Sequence, residues 1–135
     1  MTIRQPKADK RRRIAAPETG GKPASLGYPI FCLRNLQAGY DIEDLQADDQ
    51  CHVVKRMRHL SRMEWLAVIN APRHGAGKEN ISRSAIRVAM PRAVTDDVTL
   101  WAVRYTQRKA MVGFRSGDVF HVVWIDHNFS VYSHG

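Results

Sequence analysis

The chain has little of what would staple it, anchor it or give it a metal centre. Its 135 residues include two cysteines, Cys32 and Cys51. They form no Cys-x-x-Cys pair and no zinc-finger spacing. Both stand among apolar residues, so they read as buried free thiols in a reducing compartment. Histidines do not cluster either: His52 and His59 are seven apart, and His121, His127 and His134 are spaced six and seven apart, with no carboxylate pattern around them. The usual metal motifs are thereby excluded, and no cofactor is expected. No apolar run approaches the length of a membrane span, and the N-terminus is charged where a signal peptide would be apolar. The expectation is a cytoplasmic protein with no membrane partner. Internal repeats are also absent.

What is present is enough apolar residue for one ordinary domain, 44% of the chain. The net charge is +8 and unevenly spread. Residues 1–22 hold seven basic side chains against two acidic ones, a net of +5, which leaves +3 for the rest. Few apolar side chains and Pro6, Pro17, Gly20, Gly21 and Pro23 mark 1–25 as a disordered basic arm before a single α+β domain, 26–135. Such an arm attracts polyanions, and it equally serves solubility.

The apolar run from Tyr28 to Leu36 predicts a first strand over 30–36. Asp48 and Asp49 suit a helix start, and Cys51, Val54, Met57 and Leu60 recur at helical spacing after them. Ser61-Arg62-Met63-Glu64 has a capping-box pattern and opens a second helix bearing Trp65, Leu66, Val68 and Ile69, stopped by Pro72. Residues 73–80 read as a loop and 82–90 as a short helix ended by Pro91. Strands are then expected over 99–105, 110–115, 119–126 and 129–132, with Ser116-Gly117-Asp118 as a hairpin turn. In the 119–126 strand, strict alternation puts Val119, His121, Val123 and Ile125 on one face and Phe120, Val122 and Trp124 on the other. The fold expected is therefore strand, two helices packed on one face, then a four-strand antiparallel meander.

Chemistry could sit in two places. The loop from Arg73 and His74 to Lys78 and Glu79 suggests a phosphate loop, but Pro72 stands where a Walker A loop needs glycine and Glu79 where it needs Ser or Thr. What remains is a basic turn touching phosphate, or a plain connection. Metal-free RNA cleavage needs an acid, a base and cations for the phosphorane. Tyr132, His134 and His121 are the candidate acid and base groups, and Arg104, Arg115, Lys78, Arg73 and His74 the candidate phosphate contacts. Each has a plainer reading: His121 as a core histidine, Tyr132 as an edge residue, the arginines as solvated charges. Stacking of bases is a further possibility, because Tyr105, Phe114, Trp124 and Tyr132 interleave with Arg104, Arg108, Lys109 and Arg115.

The element order and the turn Arg115-Ser116-Gly117-Asp118 resemble the RelE/ParE superfamily of toxins. That resemblance implies a toxin neutralised by a protein antitoxin, acting on RNA or the ribosome, with Tyr132 or His134 at the place of its terminal catalytic residue. Where that family carries an arginine in the strand after the turn, this chain has His121. The stretch from Met111 to Gly135 also resembles SocB-type toxins, which implies non-enzymatic blockage of the replication sliding clamp. Gln37–Ile42 and Gln107–Val112 are degenerate versions of a clamp-binding peptide. A third expectation needs no toxicity: a basic nucleic-acid-binding protein.

Overall fold

Eight consecutive residues, Val119–Asp126, alternate in a way that only a strand covered on both faces can use. In the computed structural model, which describes residues 27–72 and 77–133, this strand (β5) lies next to the edge of a five-stranded mixed sheet. The expected arm, together with Arg73, His74 and His134, lies outside the described residues.

The strands are β1 (Ile30–Cys32), β2 (Lys78–Ile81), β3 (Leu100–Thr106), β4 (Lys109–Ser116) and β5, in spatial order β1-β5-β4-β3-β2. β2 to β5 run antiparallel to their neighbours, and β1 pairs with β5 in parallel. The α1 helix (Ala47–Ser61) and the α2 helix (Trp65–Asn70) cover one face, where Val53, Leu60, Trp65 and Val68 pack on Val103, Tyr105, Met111, Phe120, Val122 and Ile125. The irregular segments 82–98 and 127–133 cover the other face, with Val94 and Val131 packed on Leu100, Val112, Phe114, Val123 and Trp124.

The α+β class and the two helices are as expected, but the sheet is not a simple four-strand meander. Its fourth antiparallel strand is Lys78–Ile81, expected to be loop, paired with Val103 to Leu100. Residues 129–132 form no strand. Phe129 takes φ +60°, and the Ser130 and Val131 amides donate to the buried Asp126 carboxylate at 2.8 and 3.2 Å. In place of a ladder, one isolated bridge, Ile86 to Tyr132, and a hydrogen bond of 2.9 Å between the Ser130 and Tyr40 hydroxyls tie that segment to its neighbours. A carboxylate has taken donors that a ladder would have used.

Smaller corrections have similar local causes. The capping box does not form: Ser61 ends α1 with its hydroxyl donating to the Arg58 carbonyl, and Glu64 caps α2 without a side-chain bond. The buried row of α1 is Asp49, Val53 and Leu60, with Met57 packed against it, so Val54 and Cys51 face solvent. Cys32 is half-buried. The short helix expected over 82–90 is one 3-10 turn, Arg83–Ala85. In β5 the alternation breaks at Val123, which has no partner in β4: Gly113 faces Val122 and Val112 faces Trp124. This β-bulge turns Ile125 to the face of Phe120 and Val122, and leaves Val123 and Trp124 on the other.

The turn between β4 and β5 joins three parts of the chain. Gly117 adopts φ +62°, the left-handed geometry that a two-residue hairpin loop with glycine first requires. The Asp118 carbonyl then accepts from the Ile30 amide and from the Trp65 indole, each at 2.9 Å. The Asp118 carboxylate accepts from the Gly27 amide at 2.9 Å.

Candidate nucleic-acid interface

On β3, Trp101, Val103 and Tyr105 point to the helix face. Trp101 lies near the β4–β5 turn and is half-buried. Its ring stacks on Phe120 (6.4 Å between centroids, 22° between planes) and meets Trp65 edge-on at 5.9 Å. Two cations stand over it. Lys78 Nζ is 4.8 Å from the ring centroid, and the Arg115 guanidinium is 5.8 Å from it and 5.5 Å from Trp65. Register explains the meeting: Asn80 faces Trp101 across the β2–β3 pair, which puts Lys78 one position along on the same face. Lys78 also donates to the Asn80 side chain at 2.8 Å, and Arg115 to the Gly117 carbonyl. Cations held this close to indole are attracted by its π face and stay available to an anion.

Beside Trp101 opens a cavity of about 510 Å3, with Arg115, Phe114, Ser116, Thr99 and Asp97 among its walls. The Thr95 hydroxyl and its own backbone amide hold the Asp97 carboxyl below the usual carboxylate range, so that wall is an acceptor at neutral pH. A half-buried indole, the Arg115 cation and an acceptor in one recess, with Lys78 over the same indole, suit a nucleobase with its phosphate.

Of the expected site residues, the fold brings Lys78 and Arg115 together. Arg104 faces Ala110 on the far side of the sheet, so the sheet separates it from Arg115. His121 is also on that far side, opposite Phe114, and its ring stacks on that phenyl at 4.8 Å. The levels of Arg104 and His121 are four residues apart along β4, Ala110 to Phe114, about 13 Å. The His121 Nδ1 atom is buried and has no hydrogen-bond partner among the described residues. Tyr132 is only 4% exposed, at the edge of a cavity of about 330 Å3 with Arg87, Arg108 and Phe129. The four aromatic residues expected to interleave with arginines, Tyr105, Phe114, Trp124 and Tyr132, are all buried.

Sequence reasoning missed Trp101 and Arg87. Trp101 carried a signal, since it alternates with Val103 and Tyr105 in a β-rich run. Arg87 carried none. Among the described residues, no three His, Cys, Asp or Glu side chains gather as a metal site requires, and no helix is long and apolar enough to cross a membrane. Comparison with protein-family models, with curated proteins and with solved structures finds no match to this chain.

Proposed function

We propose that this protein is a toxin-like growth inhibitor that binds single-stranded nucleic acid, RNA first, and acts by occupying it. The observation that carries the reading is Trp101 with both Lys78 and Arg115 over its ring, beside a cavity that Arg115 also lines. Aromatic rings beside cations bind single strands with little sequence preference. The resemblance of the C-terminal stretch to toxins supports growth arrest as the outcome, with a protein antitoxin as the natural partner. Of the two degenerate clamp-binding peptides, Gln107–Val112 is disfavoured by its placement, because Met111 and Val112 are fully buried in β4.

The test is fluorescence anisotropy with a labelled single-stranded RNA, alongside growth after induced expression. Lys78→Ala and Arg115→Ala should each weaken binding about tenfold and lower the salt dependence by about one phosphate contact. Both should also relieve growth arrest. Unchanged affinity in the two variants, with folding intact, refutes the interface; no growth arrest by the wild type refutes the toxin.

A second reading is favoured by one observation, the meeting of Tyr132 with Arg87 and Arg108 around a cavity. A phenol and two guanidiniums can serve as acid and phosphorane contacts in metal-free RNA cleavage. Shortened RNA at the end of the titration, lost in Tyr132→Phe, would decide for cleavage; intact RNA decides for binding alone.

A further inference from the structure

We infer that the groove between α1 and β3 is a phosphate-binding site, with the Tyr105 hydroxyl as the buried donor on its floor and Lys55 and Arg56 as its countercharges. The groove encloses about 300 Å3 and is lined by His52, Lys55, Arg56, His59 and Tyr105. Every α1 residue in that lining is of basic type, because positions 52, 55, 56 and 59 form one row along a helix. No carboxylate shares the lining, and neither Lys55 nor Arg56 is paired with one among the described residues.

The second observation is independent of charge. Tyr105 is 3% exposed, and its hydroxyl is sealed from solvent with no hydrogen-bond partner among the described residues. A buried hydroxyl left without an acceptor is costly, and few native groups are left so. The two nearby carboxylates are already engaged: Asp49 with the Lys109 ammonium at 3.0 and 3.2 Å, and Asp126 with the Ser130 and Val131 amides. Burial first, then those two negative charges, push the Tyr105 phenol above its ordinary range, so it keeps its proton and can donate it in a hydrogen bond. Cations above and a donor below call for an anionic acceptor with several oxygens.

This site is separate from the Trp101 interface. Tyr105 lies four residues further along β3, about 13 Å away. Either site can fail without the other.

The experiment is a titration of the full-length, 15N-labelled protein in phosphate-free buffer at constant ionic strength, read by amide chemical shifts. The probes are inorganic phosphate, a nucleoside 5′-monophosphate and a dinucleotide carrying one internal diester. Saturable shifts are expected, centred on residues 52–59 and Tyr105. Tyr105→Phe keeps the ring and should weaken binding about tenfold, the worth of one hydrogen bond to a charged group. Lys55→Ala and Arg56→Ala should do the same. Tighter binding of free phosphate than of the dinucleotide assigns the site to small phosphate esters, and the reverse order to a nucleic-acid backbone. Linear shifts that chloride reproduces would overturn the inference. Equal binding by Tyr105→Phe, whose folding is checked by its melting curve, would overturn it too.

Discussion

A single methyl group at Gly113 should remove a large share of this protein's stability. Gly113 sits in β4 opposite the bulge of β5. A Cβ built there would lie 1.9 Å from the His121 carbonyl oxygen and 3.1 Å from the Val122 Cα. Carbon and carbonyl oxygen rest no closer than about 3.3 Å, so the strands must part by about 1.4 Å. Ladder bonds near 2.9 Å would then exceed bonding range. Two buried backbone groups left unpaired, at about 1–3 kcal/mol each, with the loosening of Val122 and Trp124 added, give a loss of about 3–5 kcal/mol. That is a large share of the roughly 5–15 kcal/mol that holds a domain together. Urea unfolding followed by tryptophan fluorescence measures it, with Gly117→Ala as the comparison. Gly117 has φ +62° and nothing within 4 Å of a built Cβ, so it should lose only about 1–2 kcal/mol of backbone strain. Gly113→Ala within about 1 kcal/mol of wild type, or milder than Gly117→Ala, would refute the reasoning, since clash and conformation would then be ranked wrongly.

Two further outcomes follow from buried polar groups. Asp126→Ala removes the acceptor of the Ser130 and Val131 amides, so it should destabilise by about 2–4 kcal/mol and speed hydrogen exchange at Val131, with Asp126→Asn in between; unchanged exchange at Val131 would show that packing alone holds the segment. Alkaline pH should weaken the fold through Tyr105. Its folded-state phenol titrates above the ordinary value near 10, so above that pH the unfolded chain releases a proton that the folded chain keeps. Stability is full below pH 10 and falls as pH rises, by up to about 1.4 kcal/mol per unit from this group. Tyr105→Phe should remove that share of the slope; identical pH profiles for the two proteins would contradict it.

The parts of the fold legible in the sequence are those whose cause is local. β5 was expected over 119–126 and is found over Val119–Asp126, because alternation of large apolar residues and a Gly-Asp turn fix both ends. β2 reads Lys-Glu-Asn-Ile and holds no β former except Ile81, so nothing local marks it; the exposed edge of β3 makes it a strand. The opposite error at 129–132 has the same root. Those residues look like a strand, but a carboxylate four positions back takes their amides before any strand can. In α1, Met57 and Leu60 lie where the helical spacing put them, but Asp49 and Val53 take the inward places expected for Cys51 and Val54, because Asp49, a charged residue, occupies a buried place that pattern reading gives to an apolar one. Lys109 makes that possible by pairing with it.

The same logic limits what the turn motif says about function. Arg115-Ser116-Gly117-Asp118 carries the family resemblance, yet two of its residues, Gly117 and Asp118, have complete structural duties. Gly117 makes the turn, the Asp118 backbone holds Ile30 and Trp65, and its carboxylate holds Gly27. Any sheet that had to join a hairpin tip to an incoming edge strand would favour such residues without sharing a target. Arg115 is the residue whose position exceeds those duties, since its guanidinium spans two indoles and borders the cavity. The nucleic-acid proposal therefore rests on Arg115 with Lys78 and Trp101, a grouping made by register across β2, β3 and β4 that no stretch of sequence displays.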